Sequence, residues 1–165
     1  MSVKIHKWLL ICLTLGMMVV IFCFSAEPAD TSDHTSGFLV NMILPVVCPS
    51  FNELTPEAQT AVYDTLQHIV RKLAHFTEFA VLGLLLRLTF ECLWPGKMLS
   101  LWAWLAGTFY AGTDELHQLL VSARSGQIRD VILDSFGVIA GVTVARIILL
   151  LVERHRVRNH EKRIG

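Results

Sequence analysis

Residues 131–152 read VILDSFGVIAGVTVARIILLLV. As a helix at ~1.5 Å per residue this run reaches about 33 Å, enough to cross a hydrocarbon core of ~30 Å. Three other runs share its character. WLLICLTLGMMVVIFCF fills 8–24, LAHFTEFAVLGLLLRLTF opens 73–93, and the third occupies 98–120. The expected fold is therefore all-α, an integral membrane helical bundle with four transmembrane helices at about 8–24, 73–93, 98–120 and 131–152. WPGK at 94–97 is a tight turn between the second and third, because Pro and Gly stop helices. Composition agrees: 53% of the 165 residues are hydrophobic and 17% charged, against about 25% charged in soluble domains. The length fits a single domain. No basic stripe with interleaved aromatics exists, which argues against a nucleic-acid partner.

Cys12, Cys23, Cys48 and Cys92 are too widely spaced for a zinc knuckle or a CxxC pair and read as small apolar residues. The first run could also be a cleaved signal peptide. It is long for that, and FCFSAEP has no clean small-x-small cleavage site, so a retained span is expected. Lys and Arg in the flanks set the orientation. Lys4, Lys7, Lys97, Arg154, Arg156, Arg158, Lys162 and Arg163 outnumber Arg71, Lys72, Arg124 and Arg129 on the opposite side. Both N and C termini should then be cytoplasmic. That leaves 25–71 as an outer loop. Within it, 38–47 is apolar, too short to span, and contains Pro45, so an interfacial or re-entrant segment is expected. Thr55 as N-cap, Pro56 at the first helical position and Glu57 after it mark a helix start that leads into the second span.

The polar residues fall on helix faces. Lys72, His75 and Glu78 step by three. Gly107, Ala111, Asp114 and Gln118 follow i, i+4, i+7, i+11, flanked by Glu115 and His117. Asp130, Asp134, Gly137 and Gly141 repeat that spacing, and GVIAG is a small-xxx-small pattern that lets helices approach closely. Close packing at the glycines would gather the acids above it. Ionisable groups in spans are costly unless they pair or meet water. One outward-facing polar pocket, built from spans two, three and four, is the economical solution.

Lys72-Leu73-Ala74-His75-Phe76-x-Glu78-Phe79, Asp114-Glu115-x-His117-Gln118, Arg124, and Asp130-Val131-x-x-Asp134-x-x-Gly137-x-x-x-Gly141 together resemble the VanZ-like family. FSAEPADTS after the first span is similar, more weakly, to that family's FSSQ-like exit. Asp134 departs from the pattern, standing where the family often has Asn. The resemblance covers nearly the whole chain. It implies a multi-pass protein of a bacterial cytoplasmic membrane, related to one linked to teicoplanin resistance and distinct from the enzymes that remake the peptidoglycan stem. It implies no particular reaction.

The residues leave alternatives open. Glu115, His75, His117, Asp114 and Glu78 are the catalytic candidates. They could form a general acid–base set or ligate a divalent metal, although no HExxH-type signature is present. Otherwise His75 and Glu78 are a pair sealing helix packing, and 114–118 a helix end wetted by outer water. Lys72, Gln118, Arg124, Asp130 and Asp134 are the binding candidates. Arg124 could grip a phosphate or carboxylate, or pair with Asp130 or Glu115. Asp130 could equally cap span four. Arg87 and Arg146 read as snorkelling residues. Trp94, Trp102 and Trp104 read as a cytoplasmic-side belt. Ser122 and Ser125 lack any nucleophile setting. The partners expected are the lipid bilayer and a lipid-linked envelope precursor or a glycopeptide. No cofactor follows from the residues. Three classes remain: an enzyme, a lipid- or drug-binding or gating module, and a structural membrane protein.

Overall fold

The structure is a computed structural model that describes residues 2–26, 29–94, 96–120 and 127–164; side chains at 2–6, 29–35, 161, 163 and 164 are outside that description. It is all-helical. The helices are α1 (Ser2–Ser25), α2 (Ala29–Val47), α3 (Pro56–Leu93), α4 (Leu99–Gln118) and α5 (Ile128–Ile164), with one 3-10 turn at Phe51–Glu53. No strand occurs among the described residues.

The start of α3 follows the local chemistry. Thr55 is extended and its hydroxyl accepts from the Ala58 amide at 3.4 Å, with Pro56 and Glu57 in the first turn. Trp94, the residue before Pro95, is extended at φ −136° and ψ 127° and ends the helix. Between those points α3 is continuous, so the helix that starts in the expected outer loop and the second expected span are one element. The apolar stretch at 38–47 is helical too and lies in α2, with Pro45 inside the helix.

Glycines decide how α3 and α5 meet, and this is the most extensive helix pair. A Cβ on Gly137 would sit 2.5 Å from the Phe76 carbonyl oxygen. One on Gly141 would overlap the Ala80 carbonyl and reach 2.7 Å from the Leu84 nitrogen. Only a missing side chain lets the two backbones come this close. Phe79, Leu82, Val138 and Ile21 are fully buried around the seam, with Leu86, Ala103, Ala111 and Val142 completing the core. α4 packs beside it, with Gly107 against Val138.

α1 joins through one face. Thr14, Ile21 and Ser25 are buried. Thr14 Oγ1 lies 2.9 Å from Thr89 Oγ1 on α3, and Tyr110 on α4 donates to the Met18 carbonyl at 2.6 Å. Trp104 departs from the expected belt: its indole donates to Ser135 Oγ at 3.0 Å in the α4–α5 seam, whereas Trp94 and Trp102 are each 60% exposed. The four cysteines are free thiols.

Among the described residues, two stretches are long and apolar enough to cross a membrane, Lys7–Ser25 and Ile128–His160. Only 17% and 28% of their most apolar windows are buried, which is the opposite of a core helix in a soluble protein. Leu13, Leu15, Val19, Val20, Phe22 and Phe24 on α1 are among the exposed apolar side chains. Exposed apolar surface of this extent marks a membrane or protein contact.

Candidate functional site

Four helices converge at one end. α1 and α4 finish there, α5 begins there, and α3 passes with Lys72, His75 and Glu78 on one half-buried face. On α4 the stripe Gly107, Ala111, Asp114 and Gln118 is the buried face, joined by Glu115. On α5 it is Asp134, Gly137, Val138 and Gly141. The glycine contacts lie one to two turns from the acids on the same faces. Close approach of the backbones therefore brings the acids together.

Asp114 is 3% exposed. Its Oδ2 accepts from Ser25 Oγ at 2.7 Å and from Gln118 Nε2 at 3.0 Å, and Gln118 Nε2 also lies 3.3 Å from Ser25 Oγ. This three-residue network ties α1 to α4. Asp114 Oδ1 is buried with no hydrogen-bond partner among the described residues. So is Oδ1 of Asp134, which is 2% exposed. Asp134 lies within the fields of Asp114, Glu115, Lys72 and Glu78, and Glu78 within that of Asp114. The acids of three helices thus form one electrostatic cluster.

At its edge Lys72 Nζ on α3 pairs with Asp130 Oδ1 on α5, both half-buried. Burial pulls the Lys72 pKa below the usual lysine value; Glu115 and Asp134 pull it back up, and Arg71 adds to the lowering. Asp130 lies inside the first turn of α5, which starts at Ile128. It therefore bridges to α3 rather than capping the helix, while still favouring the positive helix end. Glu115 Oε1 accepts from the Gln127 amide and so fastens α4 to the approach of α5. His75 Nδ1 and Glu78 Oε2 are 3.9 Å apart, an ion-pair distance too long for a hydrogen bond. His117 stacks on Phe22 of α1 with ring centroids 4.3 Å apart, and its Nδ1 has no hydrogen-bond partner among the described residues.

Nine of the ten residues singled out from the sequence lie at this end. Arg124, like Ser122 and Ser125, is outside the described residues. Among the described residues, no three His, Cys, Asp or Glu side chains converge closely enough to hold a metal ion. Sequence reasoning missed the α1 contribution, Ser25 and Phe22. The one available signal is the FSAEPADTS stretch, which carries only a weak similarity to the family's FSSQ-like exit.

Fold and site together define a helical bundle of membrane-protein character, with an acid-rich cluster at one end of its glycine seam. A family model described as VanZ/LLP1 matches residues 10–150, and the chain belongs to that membrane-associated family. No curated protein and no solved structure matches it.

Proposed function

We propose that the protein is a four-span component of a bacterial cytoplasmic membrane, with both termini inside, and that its acid-rich cluster faces outward and binds a cell-envelope component. The ligand class is a lipid-linked or peptidoglycan-related molecule. Low-level protection against teicoplanin-type lipoglycopeptides is the expected cellular consequence. In this topology α1, the 73–93 part of α3, α4 and 131–152 of α5 cross the bilayer. α2 lies at the outer interface, where Phe38, Met42 and Val46, 62% to 81% exposed, meet lipid.

One observation carries the reading. Asp114 and Asp134 are almost fully buried, yet each keeps a carboxylate oxygen without a hydrogen-bond partner among the described residues. Leaving such a group unmet costs ~1–3 kcal/mol. Acids serving only to assemble helices would be expected to pair fully. Free acceptors are suited to a ligand that brings N–H or O–H groups, which sugars, peptides and amines supply. Binding fits the geometry better than catalysis. Asp114 Oδ2 is already committed to Ser25 and Gln118, and the His75–Glu78 pair is not hydrogen-bonded.

The test is teicoplanin and vancomycin susceptibility of a sensitive Gram-positive host carrying the parent chain or a variant, with membrane levels matched. The parent should protect against teicoplanin. Asp114→Asn and Glu115→Gln should abolish protection. Asp134→Asn should keep it, because the family pattern often has Asn there, whereas the single acceptor of an Asn at 114 cannot serve both Ser25 and Gln118 and a ligand. A well-expressed parent that gives no protection removes the resistance reading. Loss of protein level in Asp114→Asn would instead favour a purely structural role.

A further inference from the structure

α5 does not stop where its apolar run stops. The helix continues to Ile164, and residues 153–160 are all exposed. Over 153–164 the chain carries Arg154, Arg156, Arg158, Lys162 and Arg163 against Glu153 and Glu161, with His155 and His160 between them. Arg154, Arg158 and Lys162 recur every four residues and so share one side of the helix.

We infer that this extension is a docking surface for the anionic headgroups of the inner leaflet, with Arg154, Arg156 and Arg158 as the residues that bind lipid phosphate. The inference rests on the inside placement of the C-terminus proposed above. At ~1.5 Å per residue these three guanidinium-bearing positions stand about 3 to 9 Å beyond residue 152 along the axis. The headgroup zone is ~5–8 Å deep on each side, and the Debye length at physiological salt is ~8 Å. All three therefore lie in the layer where an anionic surface is felt. Lys162, about 15 Å out, lies at its outer edge, where the field is weakest. Guanidinium also pairs bidentately with phosphate, which favours arginine at the three near positions. Among the described residues, no hydrogen bond or ion pair engages Arg154, Arg156 or Arg158. Their charge is left for an outside partner. Because α5 supplies half of the α3–α5 seam, lipid held at this end steadies the helix that carries Asp130 and Asp134.

The experiment reconstitutes the full chain in phosphatidylcholine vesicles containing brominated phosphatidylglycerol or brominated phosphatidylcholine. It reads quenching of tryptophan fluorescence. Trp8, Trp94 and Trp102 are 60% to 65% exposed and belong to the same membrane side in this topology. The parent should prefer the anionic lipid by at least about fivefold at low salt, the factor carried by a single charge near such a surface. The preference should fall toward unity in R154Q/R156Q/R158Q and at high salt. K162Q should keep most of it. Free inorganic phosphate at matched concentration should not compete; if it removes the preference, the site binds phosphate ions rather than a lipid surface. Equal preference in the parent and the triple variant overturns the proposal. Protease removal of a C-terminal epitope from intact spheroplasts separately tests the orientation. Cleavage there would refute the topology while leaving the quenching result to stand by itself.

Discussion

Replacing Gly141 with alanine adds one carbon where, of the described glycines, a side chain has least room. That Cβ would overlap the Ala80 carbonyl and lie 2.7 Å from both the Ala80 carbonyl carbon and the Leu84 nitrogen. Non-bonded contacts are comfortable from about 3.5 Å, so α3 must withdraw by at least about 1 Å. The obstructing atoms are backbone, which cannot rotate away. A gap of 0.5–1 Å forfeits about a quarter to a half of each van der Waals contact it opens. Here those contacts are among Phe79, Leu82, Val138 and Val142. Overpacking of this kind costs about 1–3 kcal/mol, and the backbone obstruction places Gly141 at the upper end. Alanine's helix propensity offsets about 1 kcal/mol. The net loss is about 2 kcal/mol, or ~4–8 °C in Tm for a chain of this size. Thermal unfolding in detergent measures it directly. Gly16→Ala and Gly112→Ala are the controls, since a Cβ at either position meets nothing within 4 Å. They should leave Tm unchanged or raise it. If Gly141→Ala melts with the parent while the controls behave as stated, α3 and α5 do not meet through a glycine seam. The proposed gathering of acids by that seam would fall with it.

Two further outcomes follow from the site and its approach. Ser25→Ala removes the hydroxyl that donates to Asp114 and should lower stability by about 1–2 kcal/mol, between the ~0.6 typical of membrane interhelical bonds and the ~1.5–3 of bonds to charged groups. Its effect should largely vanish in an Asp114→Ala background, and simple addition of the two losses would show that the bond contributes nothing. His68, outside the proposed spans, has a pKa lowered from 6.5 by burial first and then by Lys72 and Arg71. The unfolded chain therefore binds this proton more tightly. The folded state keeps its full relative stability above pH 6.5 and loses some as pH falls through 6.5 toward the lower folded value. A ¹³C-histidine titration in micelles should place the midpoint below 6.5, and Lys72→Gln should move it upward. A midpoint at or above 6.5 in the parent refutes the assignment.

Much of this architecture is written in residue types at helical spacing. A run such as 131–152 can do little but form a helix, and Thr55 with Pro56 marks a helix start because the unpaired amides of a first turn need an acceptor there. The buried faces of α4 and α5 were readable for the same reason: Gly107, Ala111, Asp114 and Gln118 must share a side at 3.6 residues per turn. Periodicity gives a face and not a partner. Nothing in local spacing says that Asp130 reaches Lys72 instead of capping its own helix, or that Trp104 turns into the seam to meet Ser135 instead of facing a belt. Nor could it bring in α1. Ser25 lies 89 residues from Asp114 along the chain, and a serine at the end of an apolar run looks like any other helix exit. By itself the sequence determined helix at the four long apolar runs, the inward faces of α4 and α5 and the concentration of acids at one end, because these depend on neighbours three and four positions away. The tertiary structure alone decided which face meets which. That choice depends on how closely two backbones can approach, and at Gly137 and Gly141 the absence of a side chain settles it.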